Sequence, residues 1–320
     1  MLREATLVTL TSMQARRRLA IMQARLRYIA IVTQRPEALA SFYSTYFGML
    51  ELGRGAEGDI SLTDGFYNLA LLKQRAGLDV PDDRLGLSHY GIEIDDIHEI
   101  EARLEEFAPN ADIRQEPGGL HHGEYRVFDP DGLAISLSTK NFNVAGDRRS
   151  MPSIRHIALS VPKVPEMHDF YLNVFGFRET KWSAFVRTKN RTDPCYFAGD
   201  GSTNLAFLME PSLMTGGEID KRWGFNHFGF VISNMEEMLR KLPAESDVSR
   251  RPPRAMAEER AHDPDGNPID LSYDMGYEVD YDRWVRAGSS NIASADEQRR
   301  VYDAMMAERE RRRAELAANS

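Results

Sequence analysis

Ile154-Arg155-His156-Ile157-Ala158-Leu159 says again what Leu26-Arg27-Tyr28-Ile29-Ala30-Ile31 has said 128 residues earlier. The same offset carries Phe42-Tyr43 onto Phe170-Tyr171 and Gly48 onto Gly176. Further along, Leu87-Ser88-His89-Tyr90-Gly91-Ile92 returns as Phe225-Asn226-His227-Phe228-Gly229-Phe230, and Asp129-Pro130-Asp131-Gly132 returns as Asp263-Pro264-Asp265-Gly266. The offsets drift from block to block, as loop insertions would make them, so the chain reads as a duplicated domain of about 115–125 residues. The first copy spans 26–140 and the second 153–278. A linker at 141–152 is broken by Gly146, Asp147, Arg148, Arg149 and Pro152.

Each copy repeats one order of elements. A short strand (155–161) leads into a helix (164–174) that stops at Gly176, the expected glycine just past a helix end. Strand-like stretches such as 203–209 follow. A second strand and helix begin at His227, with 235–242 helical, and a strand at 268–273 closes the copy. In strand 155–161 the odd positions Ile157, Leu159 and Val161 share one face, leaving His156 on the other with Ala158 and Ser160. By the same alternation His227 opposes Phe228 and Phe230, and Asp270 opposes Ile269 and Leu271. All three polar residues avoid the bulky face that packs on helices and share a face of small residues, as a concave cavity requires. A lone strand histidine is ordinarily a hydrogen-bonded structural residue; three such residues at matching places in matching strands point instead to a metal centre. Two His and one carboxylate leave coordination positions open, the arrangement of non-haem Fe(II) oxygenases.

The blocks IRHIALSV, FYLNVFGF, FNHFGFVI and DPDGNPIDL resemble the vicinal oxygen chelate superfamily, which includes glyoxalases, bleomycin- and fosfomycin-resistance proteins and extradiol dioxygenases. The resemblance covers about 26–274 and implies an α+β fold: two tandem domains, each of paired βαβββ modules forming a cupped mixed sheet around a metal. It places the ligands at His156, His227 and Asp270, with Asp270 standing where the family usually has Glu. The equivalent places in the first domain hold Tyr28, His89 and Ser136, so that domain is expected to bind no metal and His89 to pack or hydrogen-bond. An inactive first and metal-bearing second domain is similar to two-domain extradiol dioxygenases. Fe(2+) is the implied metal, with Mn(2+) or Zn(2+) as alternatives, and O2 the implied co-substrate.

The match to ring-cleaving members has gaps. Their acid–base His would fall at Ser212, and their Tyr before the last motif is Arg260 here. His262, directly before the DPDG turn, and Tyr273, three residues after Asp270, are the substitute candidates for acid–base work or substrate holding. The plainer alternatives are a surface turn for His262 and packing for Tyr273. Arg260 and Arg251 could pair with an anionic substrate group, although basic residues near loops are ordinarily solvated. His168, beside Asp169, reads as solvent-facing. His121 and His122 read as loop residues, and Cys195 has no partners that would make it a nucleophile.

Composition bounds the rest. At 42% hydrophobic and 28% charged, with a net charge of −9, the chain is not a general nucleic-acid binder. No run of about 18 apolar residues exists to span a membrane. A single cysteine makes a reducing cytoplasm the default. Residues 1–25 are Arg-rich, the composition of a transit peptide or of a frayed extension. Residues 279–320 read as a helical extension with a capping-box spacing at Ser294 and Glu297. The expected function is a metal-dependent dioxygenase of extradiol type acting on an aromatic or other vicinal-oxygen small molecule, in a possible homo-oligomer. The alternatives are an isomerase or lyase of glyoxalase or epimerase type, and a non-catalytic ligand-binding protein of resistance type. Against the isomerase class, the run Asn204, Ala206 and Leu208 offers none of the Glu or His that such enzymes use as a fourth ligand.

Overall fold

The computed structural model describes residues 24–76, 85–119, 122–144, 151–179, 195–208, 224–251 and 257–272, with 307 and 311 as isolated positions. The expectations for 1–23, Tyr273, Ser212, His121, the Cys195 side chain and the tail lie outside the described residues.

The first half runs β1 (Arg25–Thr33), α1 (Pro36–Phe47), β2 (Leu50–Arg54), β3 (Ile60–Thr63) and β4 (Asn68–Lys73). It then repeats the plan as β5 (Gly86–Glu93), α2 (Ile97–Phe107), β6 (Ile113–Gln115), β7 (Tyr125–Phe128) and β8 (Ala134–Ser138). The second half is β9 (Ser153–Ser160), α3 (Val164–Phe175), β10 (Arg178–Glu179), β11 (Cys195–Gly199) and β12 (Asn204–Leu208). It continues as β13 (Gly224–Val231), α4 (Met235–Lys241), β14 (Ser249–Arg250), β15 (Glu259–His262) and β16 (Pro268–Ser272). Each half therefore holds two βαβββ units. α1 and α3 begin with Pro in the first turn and end on Gly48 and Gly176, both at φ 67, the left-handed conformation that a side chain disfavours.

Two eight-stranded mixed sheets result, in the orders β2-β3-β4-β1-β5-β8-β7-β6 and β10-β11-β12-β9-β13-β16-β15-β14. In each, the first strands of the two units pair antiparallel at the centre, while each also pairs parallel with the last strand of its own unit. The alternation along the strands then sorts the residues. Ile29 and Ile31 of β1, Ile157 and Leu159 of β9, Phe228 and Phe230 of β13, and Ile269 and Leu271 of β16 enter one core that both halves share with the helices.

The halves also exchange matching contacts. Tyr43 of α1 donates to Asp263 Oδ2 at 2.8 Å, and its counterpart Tyr171 of α3 donates to Asp129 Oδ2 at 3.1 Å. Leu26 N donates to Asp200 Oδ2 at 2.7 Å, and its counterpart Ile154 N to Asp64 Oδ2 at 2.9 Å. Each helix thus reaches the DPDG turn of the other half, and Phe47 lies with its ring centroid 4.3 Å from that of Phe230.

One expectation fails here. His168 is fully buried, edge-on to Tyr196 with centroids 5.1 Å apart. It lies four residues after Val164 and three before Tyr171, inside the apolar stripe of α3, so helical spacing overrides the polar neighbour Asp169.

Candidate metal centre

The cross-strand register aligns one row of side chains over the second sheet: Asn204 on β12, His156 on β9, Gly229 on β13, Asp270 on β16 and Arg260 on β15. A register shift at Asn226 sets His227 opposite Ala158, on the same face and one step from the row. His156, His227 and Asp270 are therefore brought to one face, each no more than 4% exposed. The two imidazole centroids are 5.2 Å apart, and His227 Nε2 stands 3.1 Å from Asp270 Oδ2.

The hydrogen bonds fix what these groups can do. His156 Nδ1 lies 2.6 Å from Asn204 Oδ1, and His227 Nδ1 lies 2.7 Å from Asn226 Oδ1. Asn226 spends its amide NH₂ on Ser160 Oγ at 2.9 Å, which assigns its oxygen to the histidine. A carbonyl oxygen only accepts, so both Nδ1 atoms carry a proton, and Nε2 is the nitrogen that each neutral ring would offer a metal. Burial, followed by the nearness of His227, pushes His156 down to about 3, so that ring stays neutral; burial also lowers His227, against the pull of Asp270. Burial, the largest influence on Asp270, would push its carboxyl up, but His227 and Arg260 overcome it and hold it well below the usual carboxylate range. Arg260 Nε donates to Asp270 Oδ1 at 2.6 Å, and Arg251 Nε lies 3.8 Å from the same oxygen.

Nε2 of His227 thus faces the ionised Oδ2 of Asp270 across 3.1 Å. A positive species belongs between them, either a proton on Nε2 or a metal cation. That separation is also close to the roughly 3 Å between two adjacent donors that share one ion at about 2.1 Å. Among the described residues no three His, Cys, Asp or Glu side chains already form a closed metal-holding group. The donor chemistry nevertheless fits a divalent ion: two neutral imidazoles with their second nitrogens anchored, and one carboxylate whose outer oxygen is held by arginine.

The other candidates separate cleanly. Arg260 and Arg251 are 8% and 7% exposed rather than solvated, and both stand beside the buried Asp270. His262 shares Arg260's face two residues on, and its buried Nδ1 has no partner among the described residues. What sequence reasoning missed is the pair of asparagines. Their signal was present: Asn204 and Asn68 hold the same place relative to His156 and Tyr28, one residue into the strand after a turn.

The first sheet repeats the row as Asn68, Tyr28, Gly91, Ser136 and Arg126. There the cup is filled. Tyr28, Ala30, Val32, Ala70 and Leu72 pack with Phe142 and Val144, which follow β8 back onto the concave face. Asn68 Nδ2 donates to the Phe142 carbonyl at 2.8 Å, and a Cβ on Gly91 would lie 2.0 Å from the Tyr28 ring. Burial raises the Tyr28 phenol far above its ordinary value, so it stays protonated and bonds Ser136. His89 is buried against Ser88 and stacks on His122, centroids 5.6 Å apart.

Residues 153–271 match the family model described as Glyoxalase/Bleomycin resistance protein/Dioxygenase superfamily. Among solved structures, the chain is similar to the 2,3-dioxygenase LapB from Pseudomonas sp. KL28, at 18% identity and a TM-score of 0.60, covering 82% of this chain and 96% of that one. The Mn(II)-bound glyoxalase from Novosphingobium aromaticivorans is 18% identical with a TM-score of 0.56, covering 82% and 85%. An extradiol ring-cleaving dioxygenase from B. fuscum is 17% identical with a TM-score of 0.56, covering 81% and 74%. No curated protein matches the chain. At these identities the likeness establishes a shared fold: two tandem halves of the vicinal oxygen chelate type. No helix among the described residues is long and apolar enough to cross a membrane.

Proposed function

We propose, on the premise that residues 153–271 form a domain of the Glyoxalase/Bleomycin resistance protein/Dioxygenase superfamily, that the chain is a mononuclear divalent-metal enzyme. Its reaction in this reading is extradiol-type dioxygenation of a small molecule with two vicinal oxygens. The supporting observation is the convergence of His156, His227 and Asp270 on one buried face, with the two imidazole centroids 5.2 Å apart and His227 Nε2 3.1 Å from Asp270 Oδ2. His156, His227 and Asp270 would hold the ion, with Fe(II) favoured and Mn(II) or Zn(II) as alternatives. When bound, the metal supplies Lewis acidity toward the substrate oxygens and open positions for substrate and O2.

The protein's own groups do the remaining work. Asn204 and Asn226 orient the imidazoles, and Arg260 fixes the outer oxygen of Asp270. The bulky residues behind the row keep water from the back of the site. In this reading His262, two residues beyond Arg260 on the same strand, would carry a proton. A second reading, isomerisation or lysis without O2, is favoured by Arg260, which stands where the resemblance gives ring-cleaving members a tyrosine.

The test is anaerobic reconstitution with Fe(II), Mn(II) or Zn(II) followed by elemental analysis of wild type, His156→Ala and Asp270→Ala. One metal per chain is expected in wild type, with loss in both variants. A wild-type protein that retains essentially no metal overturns the proposal. Oxygen uptake across a panel of catechols then separates the two readings.

A further inference from the structure

Outside both cups, at the seam between the halves, lies a groove of about 670 Å³. Its walls are the end of α2 with the residues after it, the end of β7 with its DPDG turn, and α3. That volume falls within the roughly 300–1,000 Å³ of small-molecule sites. Three phenylalanines supply an apolar wall: Phe107, Phe128 and Phe170. Phe107 is 47% exposed, a large apolar side chain left uncovered among the described residues.

The same space is lined by the carboxylates of Asp112, Glu166 and Asp169, and by no lysine, arginine or histidine among the described residues. Two of the three already hold a cation: Asp112 takes Arg114 Nε at 2.8 Å, and Glu166 takes Lys163 Nζ at 3.1 Å. Asp169 has no such partner among the described residues; its nearest charged-group contact is His168 Nδ1 at 3.8 Å. Asp129 also borders the groove, but its carboxyl is spent on Tyr171 and the amides of Asp131 and Leu133. The aromatic wall takes cations too, since the Arg114 guanidinium lies 5.4 Å from the centre of the Phe128 ring.

The duplication shows that the fold itself does not require these acids. At the places 128 residues earlier, Phe42 matches Phe170, but Ala38 and Ser41 stand where Glu166 and Asp169 do. The packing residue is kept, and the two carboxylates belong to one copy alone. The turns differ as well. Arg35 donates to the Pro264 carbonyl at 2.6 Å and to Asp265 Oδ1 at 2.5 Å, pinning the second DPDG turn. Lys163, at the place of Arg35, pairs with Glu166.

We infer that the seam groove binds a small organic cation, its ammonium seated by Asp169 and Glu166 and its apolar body laid on Phe107 and Phe170. A weakly hydrated cation with an aromatic or aliphatic body meets both kinds of wall at once. The site is separate from the second cup, and the inference stands without the reading of that cup.

The test is a ligand-observed NMR titration of the full chain with benzyltrimethylammonium and with benzyl alcohol, its uncharged counterpart. A quaternary ammonium has no lone pair to offer a metal, so the second cup does not compete for it. Wild type is expected to bind the cation with a Kd on the order of 1 mM. That is about fivefold tighter than the alcohol, the scale of an exposed ion pair with a cation–π contact. Asp169→Asn combined with Glu166→Gln, both at exposed positions, is expected to erase the preference. Phe107→Ala is expected to weaken both probes by about threefold. Equal affinities in wild type, no saturable binding of the cation, or a preference that survives the double substitution overturns the inference. Phe107→Ala with both affinities unchanged overturns it too. Concentration-dependent sedimentation that Phe107→Ala abolishes would make a second copy of the chain the occupant, and likewise overturns it.

Discussion

His156 is poised by a single amide. The bond from its Nδ1 to Asn204 Oδ1 sets which nitrogen is free to donate and which way the ring points. At the matching place Asn68 holds a backbone carbonyl instead, so the same residue type serves the candidate metal donor His156 in one half and a hydrophobic plug in the other. Asn204→Ala is expected to weaken metal binding by about 10–100-fold, the usual effect of losing such an outer partner. Competition against a chromophoric chelator measures it, and an unchanged affinity would show that the ring is held by other means. The two histidines and Asp270 were legible in the sequence because strand alternation and the repeat both single them out. The burial of Arg251 and Arg260 was not, because it depends on the pairing of β14, β15 and β16 that brings both beside Asp270, and a chain read one segment at a time does not carry that information.

Among the elements, the DPDG turns have the most to say about pH. Asp129 is buried, takes the Tyr171 hydroxyl bond, and accepts backbone bonds from Asp131 and Leu133. Burial dominates and pushes its carboxyl up from 3.8 to about 7. Between about pH 4 and pH 7 the folded protein therefore holds a proton here that the unfolded chain has released. Stability contributed by this group is complete below the unfolded value and is lost as pH rises through 7. Against wild type, Asp129→Asn is expected to flatten that part of the profile, a difference on the order of a few kcal/mol at most. Urea unfolding of both proteins from pH 4.5 to 8 reads it; parallel profiles would show that Asp129 stays ionised when folded. The end of α3 followed from Gly176, and the sorting of strand residues between the two faces followed from the alternation. The error at His168 has the same source as these successes: its place in the spacing Val164, His168, Tyr171 outweighs its chemistry.

At the scale of the whole molecule, the two halves behave as one body because each closes the other. They share one core, the Tyr43–Asp263 and Tyr171–Asp129 bonds, and the exchanged contacts of Asp200 and Asp64. A single calorimetric transition is expected, with the van't Hoff enthalpy equal to the measured one. Two resolved transitions would mean that the halves fold independently. The duplication was plain in the repeated blocks, but the filling of the first cup was not, since Phe142 and Val144 lie in a stretch whose sequence reads as linker. That plug has a consequence for how the protein answers its ligand. A pair of identical modules would offer two equivalent sites and a route for one to influence the other. With the first cup packed by its own chain, a second cup that binds ligand as proposed is expected to saturate at one equivalent per chain along a simple hyperbola, and a sigmoidal curve would then report contacts between separate chains.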